Sequence, residues 1–137
     1  MTGATGPVGR PPAWCRAGSP RKDELTAYTE NVVNTGVVGE LPVVPESTTS
    51  RILVKNDLLQ VTQFTFGAGQ MLSEHAVPKG AVVQLLEGEM TFSLDGAPNP
   101  LRAGDSVYMA PGVLHSLRAE TDCRMVLVLV DVSAMNL

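Results

Sequence analysis

The chain has 137 residues, of which 44% are hydrophobic and 18% charged, and a formal net charge of −4 from ten basic and fourteen acidic side chains. That length suits one domain plus a tail, and the apolar fraction is enough to bury a core, which excludes wholesale disorder. No basic footprint exists for nucleic acid or an anionic membrane, and few aromatics beside abundant Val and Leu favour strands over a helical bundle.

Residues 1–20 are Gly, Pro, Ala and Thr with almost no apolar pattern, and read as a disordered tail. They hold no apolar stretch of the secretory-signal kind, and no run in the chain approaches a membrane span. Cys15 and Cys123 make no CxxC and read as two free thiols in a reducing compartment. A soluble, cytoplasmic protein is therefore expected. Ser19-Pro20 resembles a helix start, with Ser as N-cap and Pro at the first helical position, so Arg21 to Glu30 is expected to be a short helix. Residues 36–45 (GVVGELPVVP) are apolar but broken by Gly39, Pro42 and Pro45, which leaves at best an edge strand. The expected division is a tail at 1–20, a helix and edge segment at 21–50, and a barrel at 51–137.

From Arg51 onward short strands alternate with turn signals. Strands are expected near 51–55, 58–66, 81–86, 89–94, 106–109, 115–119 and 124–132. The connections include Glu87-Gly88, Asp95-Gly96, Gly104-Asp105 and Pro111-Gly112. Spacing this even indicates an all-β sandwich or barrel. The run RMVLVLVDV is apolar at both parities and reads as a central strand covered on both faces. In EMTFSL, Met90, Phe92 and Leu94 form the apolar row, and Glu89, Thr91 and Ser93 face out. Gly88 is read as a tight hairpin needing positive φ, Asp95-Gly96 as an Asp-Gly hairpin, and Asp105 as a cap for free backbone amides.

The stretches GAGQMLSEHAVPKGAVVQLLEGE and LRAGDSVYMAPGVLH resemble the two sequence motifs of the cupins, small barrels of jelly-roll type also described as a double-stranded β-helix. Gly69, His75 and Gly88 fall on the first pattern, G-x5-H-x-H-x3-E-x6-G, without a gap. Gly104, Gly112 and His115 fall on the second, G-x5-P-x-G-x2-H, with Ala110 at the proline position and Pro111 one residue later. The resemblance covers about 51–137 and implies a small single-domain cupin with a short N-terminal helix and edge strand.

The departures bear on function. In metal-binding relatives the first motif supplies His, His and Glu, and the second a further His. Here those positions are His75, Val77, Ala81 and His115, so two of four ligands are missing. A tightly held Zn, Fe or Mn uses about three or more protein ligands. Strand alternation turns Gln84 and Glu74 away. Met71, Met90 and Met109 offer thioether sulfur, which favours copper, but a Met on an apolar strand is usually core filler.

Several readings stay open. A small molecule is expected in a pocket between His75 and His115, lined by Val77, Ala81, Val83, Met90, Phe92 and Met109. Alternatively, the two histidines serve an enzyme (isomerase, decarboxylase, cyclase or oxygenase) as an acid/base pair, or as a reduced site for a divalent transition metal. A third reading is a structural or interaction module. Lys79 and Arg118 read as solvated rim charges. The broken segment 36–45 is expected to cover an edge by pairing with a second subunit in a homodimer, or by folding back on its own barrel.

Overall fold

The computed structural model describes residues 25–134. Their strands are β1 Thr48–Lys55, β2 Leu59–Phe66, β3 Met71–His75, β4 Gly80–Glu87, β5 Glu89–Leu94, β6 Ala97–Arg102, β7 Ser106–Met109, β8 His115–Ala119 and β9 Cys123–Val130. They form two antiparallel sheets, in the orders β1-β2-β9-β4-β7 and β3-β8-β5-β6. The fold is all-β, a jelly-roll barrel, as the motif spacing implies. Every strand expected from Arg51 onward is present within a few residues.

Alternation sends one row of each strand into the space between the sheets. Phe64 and Phe66 of β2, Val83 and Leu85 of β4, Met90 and Phe92 of β5, and Met125 and Leu127 of β9 are all buried there. At about 25 cal/mol per Å² of apolar surface removed from water, such rows supply the main drive for sheet closure. β9 lies between β2 and β4, as its apolar run requires. Its inward row is buried and its outward valines, Val126, Val128 and Val130, are half-buried.

Two strands escape the sequence pattern, both at edges of the four-stranded sheet. In β6, Pro98 and Pro100 remove ladder donors, which an edge tolerates because one side has no partner strand. In β3 the register against β8 slips between Leu72 and His75. That bulge lets both residues point inward although they stand three apart, and so hides the strand from a period-two reading.

The N-terminal segment corrects the expectation. Residues 1–20, read as a tail, lie outside the described residues, as do 21–24 of the expected helix. Residues 25–30 form no helix, only a turn at 28–30. Among the described residues the one α-helical turn, α1 Val37–Glu40, falls instead where an edge strand was expected. Pro42 and Pro45 deny that stretch two ladder amides, and Gly36, at φ 68°, bends the chain into the turn.

The segment lies against its own barrel. Thr26 donates its amide to Lys55 O at 2.9 Å, Asn34 donates to Leu53 O at 3.0 Å, and Glu40 pairs with Arg51. Behind it, the buried Arg124 guanidinium donates to Leu41 O at 2.9 Å, to Gln63 Oε1 at 3.1 Å and to Glu87 Oε2 at 2.7 Å. Two edge carbonyls of β1, Leu53 O and Lys55 O, are thus bonded in cis.

Gly88 is not a hairpin. β4 and β5 belong to different sheets, and Gly88 is the corner where the chain crosses between them. Its φ is 91°, and a Cβ there would stand 2.2 Å from Asp122 O. Asp95 and Gly96 do close the β5–β6 hairpin, at φ 49° and 80°. Asp105 accepts the Arg102 amide at 2.8 Å, as its capping role predicts. Among the described residues no helix is long and apolar enough to cross a membrane.

Candidate functional site

His75 closes β3 and His115 opens β8, and the two are direct cross-strand partners. The β3 bulge turns His75 inward, and the alternation of β8 sends His115, Leu117 and Ala119 inward together. Both histidines are buried. Their ring centroids stand 4.2 Å apart at 60°, edge to face. Phe92 of β5 stacks parallel to His115 at 6.1 Å.

Both rings are anchored by the same device. His75 Nδ1 meets Ser73 O at 2.7 Å, and His115 Nδ1 meets Val113 O at 3.1 Å. A carbonyl oxygen only accepts, so each Nδ1 carries the proton and each Nε2 carries a lone pair. Burial pushes both imidazoles below the ordinary histidine value, against the opposing pull of the carbonyl bonds, and the proximity of His75 lowers His115 further. At neutral pH both are bases. An acid/base pair of one charged and one neutral ring is therefore not their resting state.

The surroundings are apolar. Of the residues expected around a ligand, Val77, Val83, Phe92 and Met109 line the cavity between the histidines. Ala81 and Met90 are buried but lie off this lining. Leu72, Ser116, Leu117, Met125, Leu127 and Leu129 complete it. The parity of β8 and β9 carries the signal for most of these, and the bulge conceals Leu72. The open volume is about 10 Å³, room for roughly one water. The loss of polar ligands has not left a large empty chamber, because Phe92, Met109 and Met125 fill it.

The donor set does not fit a resident metal ion. Val77 and Ala81, both buried, stand where two ligands would be needed, and Gln84 is exposed on the opposite face of β4. Met71 is exposed and Met90 is not at the cavity, so of the three only Met109 lines it, where Met125 of β9 is a second thioether. Among the described residues no group of three His, Cys, Asp or Glu side chains converges. Two neutral imidazoles in an apolar wall fall short of the usual ligand count.

The chain is similar to several solved structures. A conserved protein of unknown function from Streptococcus pyogenes is 27% identical with a TM-score of 0.67, over 74% of this chain and 90% of that one. A cupin 2 conserved barrel domain protein from Leptotrichia buccalis is 28% identical with a TM-score of 0.66, over 69% of this chain and 46% of that one. A salicylate 1,2-dioxygenase variant from Pseudoaminobacter salicylatoxidans shares the fold at 19% identity and a TM-score of 0.58, over 69% of this chain and 30% of that one. Among curated proteins no match is found. The cupin domain model matches residues 62–131, from β2 to the end of β9 and including both histidines. With that match over half its length, two jelly-roll sheets and both motif histidines facing each other in the barrel, the chain belongs to the cupin family.

Proposed function

We propose that the protein binds a small, largely apolar molecule carrying one hydrogen-bond donor, held in the barrel between His75 and His115. The observation that supports this is the anchoring of both Nδ1 protons on carbonyls, which leaves two neutral Nε2 acceptors beside an apolar wall. The cavity is narrow, so the ligand has few heavy atoms or enters by displacing Met109 and Met125, whose unbranched side chains adapt readily. Small phenols and short-chain alcohols are the probes, followed by the imidazole nitrogen signals of the full chain. Binding is expected to shift both Nε2 signals and to weaken in His115→Phe. Ligands that bind without touching either imidazole would overturn the reading.

A second reading is general-base catalysis on such a ligand, favoured by the lowered basicity that keeps both rings unprotonated at neutral pH. The fold alone does not choose between them, since one fold hosts many chemistries. For assembly we propose a homodimer. The supporting surface is the outer face of the five-stranded sheet, where Val82 and Tyr108 are cross-strand partners and both exposed. A monomer mass by light scattering at all concentrations would refute it.

A further inference from the structure

A second cavity lies outside the interior one, at the same end of the barrel. Its volume is about 290 Å³, near the lower end of what small-molecule sites use. Lys55, Asp57, Lys79 and Asp131 line it, together with the apolar side chains of Leu25, Leu59 and Leu129. Leu129 is the wall common to the two cavities, and it is buried.

The walls are fixed by backbone bonds. Asn56 Oδ1 accepts the amides of Leu58 and Leu59, at 2.9 and 3.1 Å, which locks the β1–β2 turn. The Asp131 amide donates to Leu58 O at 2.9 Å and ties the end of β9 to that turn. Thr26 holds Lys55 from the other side. Lys79 arrives on the β3–β4 loop, one residue before Gly80, which pairs with Val130. The two ammonium groups and two carboxylates are therefore carried by separate elements whose backbones are pinned to one another.

The charges set the class of ligand. A lining of one sign would select an ion of the other sign. This lining pairs the signs, with Lys55 and Asp57 on the hairpin and Lys79 and Asp131 across it. Asp131 stays ionised, because Ser133 donates twice to its Oδ1 and Lys79 adds a favourable charge. A ligand bearing one positive and one negative group satisfies both signs at once, and its apolar part meets the leucines of the lining.

We propose that this cup is a binding site for a small zwitterion of the α-amino-acid type, distinct from the pocket between the histidines. It requires no metal and no group transfer, and it stands or falls apart from the ligand proposed for the barrel interior.

The test is titration of the full-length protein with L-valine, N-acetyl-L-valine and L-valinamide, followed by backbone amide shifts. L-valine is expected to shift residues 55–60 and 129–131. The singly charged analogues are expected to bind more weakly by about tenfold. Lys79→Gln and Asp57→Asn are each expected to weaken L-valine by about the same factor, while Arg102→Gln, at the opposite end of the barrel, leaves it unchanged. No shift with L-valine, or equal binding of either singly charged analogue, overturns the proposal. Shifts confined to the histidine pocket overturn it too.

Discussion

His75 and His115 face each other across the β3–β8 ladder with ring centroids 4.2 Å apart, and each donates Nδ1–H to the carbonyl two residues before it. Neither ring gains from protonation in this arrangement, because burial penalises the charge and a second charge 4 Å away would repel it. The unfolded chain takes up protons at the ordinary histidine value of 6.5, while the folded chain takes them up only at lower pH. Between those values the unfolded state binds more protons, so stability rises with pH. The contribution is complete above about 6.5 and is lost as pH falls through the lowered folded values. Urea melts from pH 7.5 downward are expected to show midpoints falling below pH 6.5, with a shallower fall in His115→Gln. A midpoint that rises on acidification through this window would contradict the lowered values.

The metal positions give a prediction by restoration. Val77→His combined with Ala81→Glu returns the two donors that the motif comparison finds missing. Calorimetric titration with Zn²⁺ is expected to show one site in the double variant, about a hundredfold or more tighter than any site in the parent chain. Equal affinity in the two proteins would show that the parent's own donors already suffice.

Gly88 and Gly96 both have positive φ, but their surroundings differ. At Gly96 nothing stands within 4 Å of a built Cβ, whereas at Gly88 the Asp122 carbonyl and the Cys123 sulfur are in the way. Gly96→Ala is expected to cost about 1 kcal/mol for the backbone alone. Gly88→Ala adds a clash with backbone and is expected to cost about 3 kcal/mol or more. Chemical denaturation of the two variants checks this, and equal losses would contradict the close approach at the sheet crossing.

Arg124 ties the N-terminal segment to the outer face of the five-stranded sheet through Leu41 O, with Gln63 and Glu87 as its other acceptors. Arg124→Met removes the donors and leaves Gln63 buried beside a thioether. The expected loss is about 2–4 kcal/mol, the range for a buried ion whose partners are left behind. Amide exchange is expected to quicken around Leu41 and at Thr26, whose amide donates to Lys55 O. Unchanged exchange there would show that the segment is held by other contacts.

How far the sequence carried varies by element. The strands from β4 to β9 were legible where alternation was clean, as in β5, or where the apolar run demanded a central position, as in β9. The β5–β6 turn was legible because Asp95-Gly96 has one common use. β3 was obscured by a bulge, and β6 by Pro98 and Pro100, which only an edge tolerates. Gly88 was recognised as needing positive φ, but whether such a residue turns a hairpin or a corner depends on which sheet the next strand joins, and that is a property of the whole fold. The two histidines were marked by motif spacing. Their shared Nδ1 anchoring depends on backbone carbonyls that no side-chain pattern reveals. The small free volume was not legible either, since Phe92, Met109 and Met125 close in on the cavity from three different strands.

The central claim is that His75 and His115 form a neutral pair, both protonated on Nδ1 and each with its lone pair on Nε2, and that their donor set does not hold a resident metal. Long-range ¹H–¹⁵N spectra of the imidazole rings in freshly purified full-length protein at pH 7, recorded with and without a chelator, test it most directly. The account predicts two neutral rings of the Nδ1–H form and identical spectra in both samples. An imidazolium ring, an Nε2–H ring, or ring signals that change when the chelator removes a stoichiometric metal would contradict it.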